Sequence, residues 1–267
     1  MYQLANDFKE ECDSLYLLLQ ELDDDTFLSK TQFKNWNISN VIGHLHMWNW
    51  AAFQSLTNEE VFRNFFKKLA QKLQNSDFKT VETEWLDGRC NKSLLHEWYA
   101  FSLELSNRYS SEDPKKRVPW AGPEMSVRSS ATARLMETWA HGQEVYDLLG
   151  VERVVTDRIK HIAVLGVNTF GWAFRVNKLE VPDEQPYVSL AAPSGADWSW
   201  GDPLAGSCVK GSAVEFCQVV TQVRNISDTS LEITGNSAKK WMDLAQCFAG
   251  PPSRPPSPGT RYIQNKT

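Results

Sequence analysis

Cysteine is scarce and unpaired in this chain. Cys12, Cys90, Cys208, Cys217 and Cys247 are an odd number with no C-x-x-C spacing in 267 residues, which argues against a disulfide framework and suits reduced thiols in a cytoplasm. No run reaches the roughly 18 consecutive apolar residues that a membrane-spanning helix needs. The opening stretch MYQLANDFKE has neither the basic start nor the apolar centre of a secretory signal. Positive charge is also short: 28 Lys and Arg stand against 33 Asp and Glu, for a formal net charge of -5 and a pI near 5.6. A net anion attracts neither nucleic acid nor an acidic membrane. The longest basic run, Lys115, Lys116 and Arg117, reads as a solvated loop. No internal repeat is present. The expectation from these absences is a cytoplasmic protein with no nucleic-acid or membrane partner.

Hydrophobic residues at 42% and aromatics at 12%, with 11 tryptophans, can fill a sizeable core. Helical periodicity dominates the first two thirds. Phe8, Cys12, Leu15, Leu19 and Leu22 space a helix over residues 4–22, closed by the run Asp23, Asp24, Asp25. Ser39 offers an N-cap for a second helix to about residue 56. Residues 58–74, carrying Phe62, Phe65, Phe66 and Leu69, predict a third, and residues 93–109 another. Residues 110–126 hold Pro114, Pro119, Gly122 and Pro123 around Trp120, lose all periodicity and read as a loop, a candidate substrate-binding arm. Residues 156–179 predict one more helix, capped by Thr156. Strands are expected at residues 187–192, 197–200 and 230–234, and helices at 212–223 and 237–248. The fold class is therefore mainly α: an antiparallel helical bundle over residues 1–180, a small α+β unit over 181–250 docked on it, and a proline-rich tail, 251–267, without regular structure.

The chain is organised around ARLMETWAHGQEVYDLLG, residues 133–150. It predicts an amphipathic helix, opened by Ser126 as N-cap and ended by Gly150, where a glycine can take the left-handed cap conformation. Glu137 and His141, four residues apart, stack on one face and supply two ligands for a divalent metal. A third comes from elsewhere, and the best candidate is His44. It shares an apolar, inward face with Val41, Trp48 and Ala51, whereas His46 lies nearer Ile42, Gly43 and Trp50, a less decisive face. Two readings of the stripe Ser130, Arg134, Glu137, His141, Glu144 stand on the residues alone: a solvated polar face, or part of a metal site.

Two segments carry a family resemblance: WNISNVIGHL from Trp36, and ARLMETWAHGQEVYDLLG from Ala133. Together they resemble the DinB-like metalloproteins, in particular the mycothiol-dependent maleylpyruvate isomerase branch. RVPWAGPEMS from Arg117, TDRIKH from Thr156, APSGADWSWG from Ala192 and AQCFAGPP from Ala245 are similar to a subgroup described only as metal-binding proteins. The resemblance implies a four-helix bundle holding a divalent metal, usually zinc, through the histidine of an "HL" helix and an E-x3-H pair. His44, Glu137 and His141 stand at those positions. It also implies a small C-terminal α/β domain.

Two nitrogens and one carboxylate oxygen leave an open coordination position, at which a water or thiol has a lowered pKa. A thiolate can add to an activated double bond, allow rotation and leave, giving an isomerase, or stay attached, giving a thiol transferase. The expected partner is a small carboxylate-bearing substrate, with a low-molecular-weight thiol as cosubstrate and zinc as the metal, nickel, iron or manganese also suiting the ligands. The protein is expected as a monomer or homodimer. Arg128, Arg134 and Arg254 are candidate carboxylate anchors, Trp120 a candidate pocket wall, and His161 a candidate acid–base group. The alternatives are a thiol-independent Lewis-acid enzyme and a non-catalytic metal- or ligand-binding protein.

Overall fold

The structure, a computed structural model, describes residues 1–264. Contacts group the chain into two compact units, Met1–Val145 and the residues from Tyr146 onward. The first unit holds helices α1 (Tyr2–Leu19), α2 (Ile38–Thr57), α3 (Glu59–Lys72), α4 (Phe78–Leu86) and α5 (Asn91–Ser111), then strands β1 (Arg117–Trp120) and β2 (Gly122–Ser126), and most of α6 (Val127–Leu149).

Helices α1, α2, α5 and α6 form the bundle. α1 buries Leu4, Phe8, Cys12, Leu15 and Leu19 at three-to-four spacing, and α5 packs against both α1 and α2. Polar links tie in α6: Arg134 Nε donates to Asn49 Oδ1 at 2.9 Å, and the Tyr109 and Ser130 hydroxyls lie 2.8 Å apart. The expected N-cap of α2 is corrected. Asn37 caps it in a reciprocal box with Asn40, while Ser39, inside the first turn, accepts from the Asn91 N–H. Ser126 does cap α6, accepting from the Ser129 N–H, and Gly150 has φ 61°.

Two elements of this unit were not expected. α4 fills a stretch left without structure; Asp77 caps it by accepting from the Thr80 N–H. It lies close on α2, where the Leu86 side chain fills the space beside Gly43; a Cβ there would sit 2.5 Å from Leu86 Cδ1 and push that methyl aside. The supposed loop at 110–126 contains the antiparallel hairpin β1–β2, with Arg117 opposite Ser126 and Val118 opposite Met125. Its Trp120 ring stacks on Phe62 of α3 at 5.8 Å and meets Trp48 of α2 at 5.7 Å. Pro119 and Pro123 erased the alternation by which such short strands are read.

The second unit contains α7 (Lys160–Asn168), α8 (Phe170–Val176), β3 (Tyr187–Ala191), β4 (Asp197–Trp200), β5 (Cys208–Ser212), α9 (Ala213–Val220), β6 (Glu232–Thr234) and α10 (Asn236–Leu244). Its sheet runs β4-β3-β5-β6. The single helix expected over 156–179 is broken at Thr169, whose hydroxyl donates to the Leu165 and Gly166 carbonyls. The boundary expected near residue 180 also moves: α7 packs on α9 and α8 on α10. Periodicity showed that these helices bury a face, not which partner covers it. Past α10, residues 250–264 form no helix or strand, yet they are tied down. Gln222 Nε2 donates to the Ser253 carbonyl, Asn225 Nδ2 to Pro256, and Arg261 Nη1 to Gln222. The last residues of the expected tail, 265–267, lie outside the described residues.

Candidate metal centre

His44 reaches the centre from α2, and Glu137 and His141 from successive turns of α6. His44 Nε2 lies 3.4 Å from Glu137 Oε2, and His141 Nε2 lies 3.2 Å from the same oxygen. One ligand atom from each residue falls within 4.8 Å of the others. Zinc bound tetrahedrally at about 2.0–2.1 Å separates neighbouring ligands by roughly 3.3 Å. Two of the three separations match that edge and the third pair of atoms lies within 4.8 Å, so the cluster has the donor set and the size for a divalent ion once the imidazoles draw in slightly.

Electrostatics shape the three groups differently. Burial pushes the His44 pKa down, but the Glu82 charge and hydrogen bonds to Glu137 and Glu82 outweigh it and bring the value to about 9. For Glu137, burial opposes ionisation, yet hydrogen bonds from His141 and His44 hold its carboxyl well below the usual range. Burial lowers the His141 pKa below 6.5, against its hydrogen bond with Glu137.

Aromatic side chains wall the cluster. Trp36 stacks on His141 at 6.0 Å with 10° between planes, and Phe33 meets the same ring edge-on at 5.1 Å. Both come from a turn in which the Trp36 N–H donates to the Phe33 carbonyl at 2.9 Å. Its central residues, Lys34 and Asn35, have φ 50° and 55°, the left-handed conformation that mirror-image turns require.

The other candidates scatter. Arg134 is only 2% exposed; burial lowers its pKa while Glu137, one turn on, pulls the other way. That places it inside the bundle, away from solvent, rather than at a surface where a substrate carboxylate first arrives. Arg128 is exposed, about 13 Å along the α6 axis from Glu137. Trp120 adjoins the centre through Trp48, whose ring lies 6.3 Å from His44. His161 and Arg254 belong to the second unit.

His46, assigned the less decisive face, is buried at 5% exposure, but it faces away from the cluster. Its ring meets Trp85 at 5.7 Å and Phe101 at 5.8 Å. Burial, then the Arg89 charge, lowers its pKa to about 4. The folded value lies below the ordinary 6.5, so as pH falls the unfolded chain takes up the proton first. Stability is whole above about pH 6.5 and is lost towards about pH 4, by roughly 2–3 kcal/mol. Urea unfolding of wild type and His46→Gln across this window is expected to show wild type losing that much more than the variant. A gap between them that stays constant with pH excludes the assignment.

Glu82 was missed altogether. Its carboxylate accepts from His44 Nδ1 at 2.6 Å. Phe78, Val81, Trp85 and Leu86 do carry helical spacing behind the Asp77 cap, a signal that one nine-residue helix leaves weak.

Fold and centre together define a class: four-helix-bundle proteins with a two-histidine, one-glutamate cluster suited to a divalent ion. Residues 8–146 match the model of the mycothiol maleylpyruvate isomerase N-terminal domain, and the chain belongs to that family. It is 39% identical over 248 residues to an uncharacterized protein of Mycobacterium tuberculosis, found in strains CDC 1551 and H37Rv, with 93% of this chain and 96% of the relative covered. Among solved structures, the crystal structure of the mycothiol-dependent maleylpyruvate isomerase has a similar fold. It matches at a TM-score of 0.51 and 14% identity, covering 82% of this chain and 86% of that one.

Proposed function

We propose that the protein is a metal-dependent enzyme that activates a thiol for isomerisation of, or transfer to, a small carboxylate-bearing substrate. The observation that carries this reading is the meeting of His44, Glu137 and His141 within 4.8 Å in a member of this family. Bound there, a divalent ion, zinc in the first instance, supplies Lewis acidity that lowers the pKa of a thiol at an open coordination position. The residues around it hold, shield and anchor. Glu137 stays ionised between two imidazoles, and Trp36 and Phe33 present flat aromatic faces that exclude water from one side. Lys34, exposed on the same turn with its Nζ 5.0 Å from the Phe33 ring centre, offers a cation for a substrate carboxylate, and Arg128 a second. Thiolate sulfur adds to a double bond conjugated with a carbonyl, the resulting single bond rotates, and the sulfur leaves again, so no atoms change hands overall. Transfer stops after addition and protonation.

The test titrates cobalt-substituted protein with mycothiol and with glutathione, then follows maleylpyruvate by ultraviolet absorbance. A thiol-dependent change in the cobalt spectrum, and turnover that needs both metal and thiol, is the expected result. Turnover indifferent to thiol points to Lewis-acid chemistry alone, and a spectrum unmoved by either thiol overturns the proposal. Lys34→Ala and Arg128→Ala are expected to lower turnover while leaving bound metal unchanged.

A further inference from the structure

Helix α4 lies outside the four-helix bundle, and most of its side chains face solvent. One carboxylate on it turns inward: Glu82 is 4% exposed, whereas Glu84 on the same helix is exposed and pairs with Lys72. Burying a carboxylate is costly unless a specific partner compensates it. The hydrogen-bond partner of Glu82 among the described residues is His44 Nδ1, at 2.6 Å.

The backbone around this contact is built to hold it. Gly43, next to His44, admits Leu86, one turn beyond Glu82 on the same face of α4. Asp77 caps the start of the helix, and Arg89 closes its end by donating from Nε to the Leu86 carbonyl and from Nη2 to the Trp85 carbonyl. Stability alone is a weak reason for such an arrangement, because a buried ion pair contributes little net over apolar packing. Direction is a better one. A carboxylate only accepts, so the Nδ1 that faces it carries the hydrogen. The opposite nitrogen, Nε2, is the one directed at Glu137 and His141.

We infer that Glu82 is a positioning residue for the metal centre: by accepting the Nδ1 hydrogen it fixes the tautomer and the ring plane of His44, leaving Nε2 as the ligand atom. This rests on the reading of His44, Glu137 and His141 as metal ligands. It assigns a function to α4, which otherwise only covers α2. A carboxylate behind a ligating histidine also raises the electron donation of the ring, and loss of such partners elsewhere weakens metal binding about 10–100-fold.

The test measures zinc dissociation constants by competition with a chromophoric chelator, for wild type, Glu82→Leu, Glu82→Gln and the surface control Glu84→Gln. The 15N shifts of the His44 ring are recorded in the zinc-loaded proteins. Glu82→Leu is expected to bind zinc about 10–100-fold more weakly. Glu82→Gln, which keeps an acceptor but not the charge, should fall between it and wild type, and Glu84→Gln should match wild type. The His44 Nδ1 shift should move in both Glu82 variants, which a merely structural role would leave in place. If Glu82→Leu does not fold, the Glu82→Gln affinity and ring shift decide. Wild-type affinity in the folded Glu82 variants, with wild type holding zinc, overturns this inference and leaves the metal centre standing. No zinc in wild type overturns both.

Discussion

His141→Ala, purified without a metal-binding tag, is expected to carry less than about a tenth of the wild-type metal content and to bind zinc more than 100-fold more weakly. Loss of a partner behind a ligand already costs about 10–100-fold, and this change removes a ligand itself. Its Nε2 lies 3.2 Å from Glu137 Oε2, on the same helix one turn away. His44→Ala should have the same effect from the other helix, since its Nε2 closes the opposite edge at 3.4 Å. Glu137→Gln should be at least as severe, because it removes the carboxylate that both imidazoles share. His46→Gln is the control: it sits on the same helix as His44, is buried away from the cluster, and should retain full metal. Elemental analysis and chelator competition on these four proteins settle the matter. Metal retained in the first three sinks the centre and returns Glu137 and His141 to an ordinary polar stripe.

A second large effect is expected in the bundle core. Asn49→Leu should lower unfolding stability by about 3 kcal/mol, the usual cost of stripping a buried charged group of its hydrogen-bond partner. Asn49 is fully buried; its Oδ1 accepts from Arg134 Nε and its Nδ2 donates to Ser102 Oγ at 3.0 Å. Ser102 passes the chain on, donating to the Trp98 carbonyl at 2.7 Å. Leucine leaves the guanidinium without an acceptor at Nε, and Nη2 has no hydrogen-bond partner among the described residues. Arg134→Met removes the charge as well as the bond, so the double variant Asn49→Leu, Arg134→Met should recover much of the loss. Denaturant titrations of the two single variants and the double form the cycle. An Asn49→Leu cost below about 1 kcal/mol, or losses that simply add, would show that Arg134 does not depend on this contact.

The three candidate ligands were legible because they sit on long helices. Glu137 and His141 are separated by one turn of a 23-residue helix, and the HL segment around His44 lies on another of 20; over such lengths the apolar periodicity is plain even where, as in α2, the cap is misplaced. Glu82 was illegible for the opposite reason. Its helix has nine residues, and a glutamate among Thr80, Thr83 and Glu84 looks like one more solvated charge until α2 is placed against it. His46 misled because its neighbours Gly43 and Trp50 are ambiguous on their own; the side chains that bury it, Trp85 and Phe101, come from elsewhere in the sequence. Strand β5 escaped notice because Lys210 and Gly211 interrupt its apolar alternation, although it pairs in parallel with β3 from Cys208 to Ser212. Nothing in the residues around Phe33 and Trp36 points to the cluster they wall. Their placement depends on Lys34 and Asn35 adopting positive φ, and lysine gives no hint of that.

The glycine at position 43 also limits how this sequence can drift. A side chain there meets the Leu86 Cδ1 methyl, and Leu86 shares a helix face with Glu82. A lineage that replaces Gly43 must turn or shrink the Leu86 side chain or let α4 lift, and lifting α4 withdraws the carboxylate from His44. Positions 43 and 86 are therefore expected to change together, and a bulkier residue at 43 is expected to loosen the Glu82 contact unless the side chain at 86 makes room.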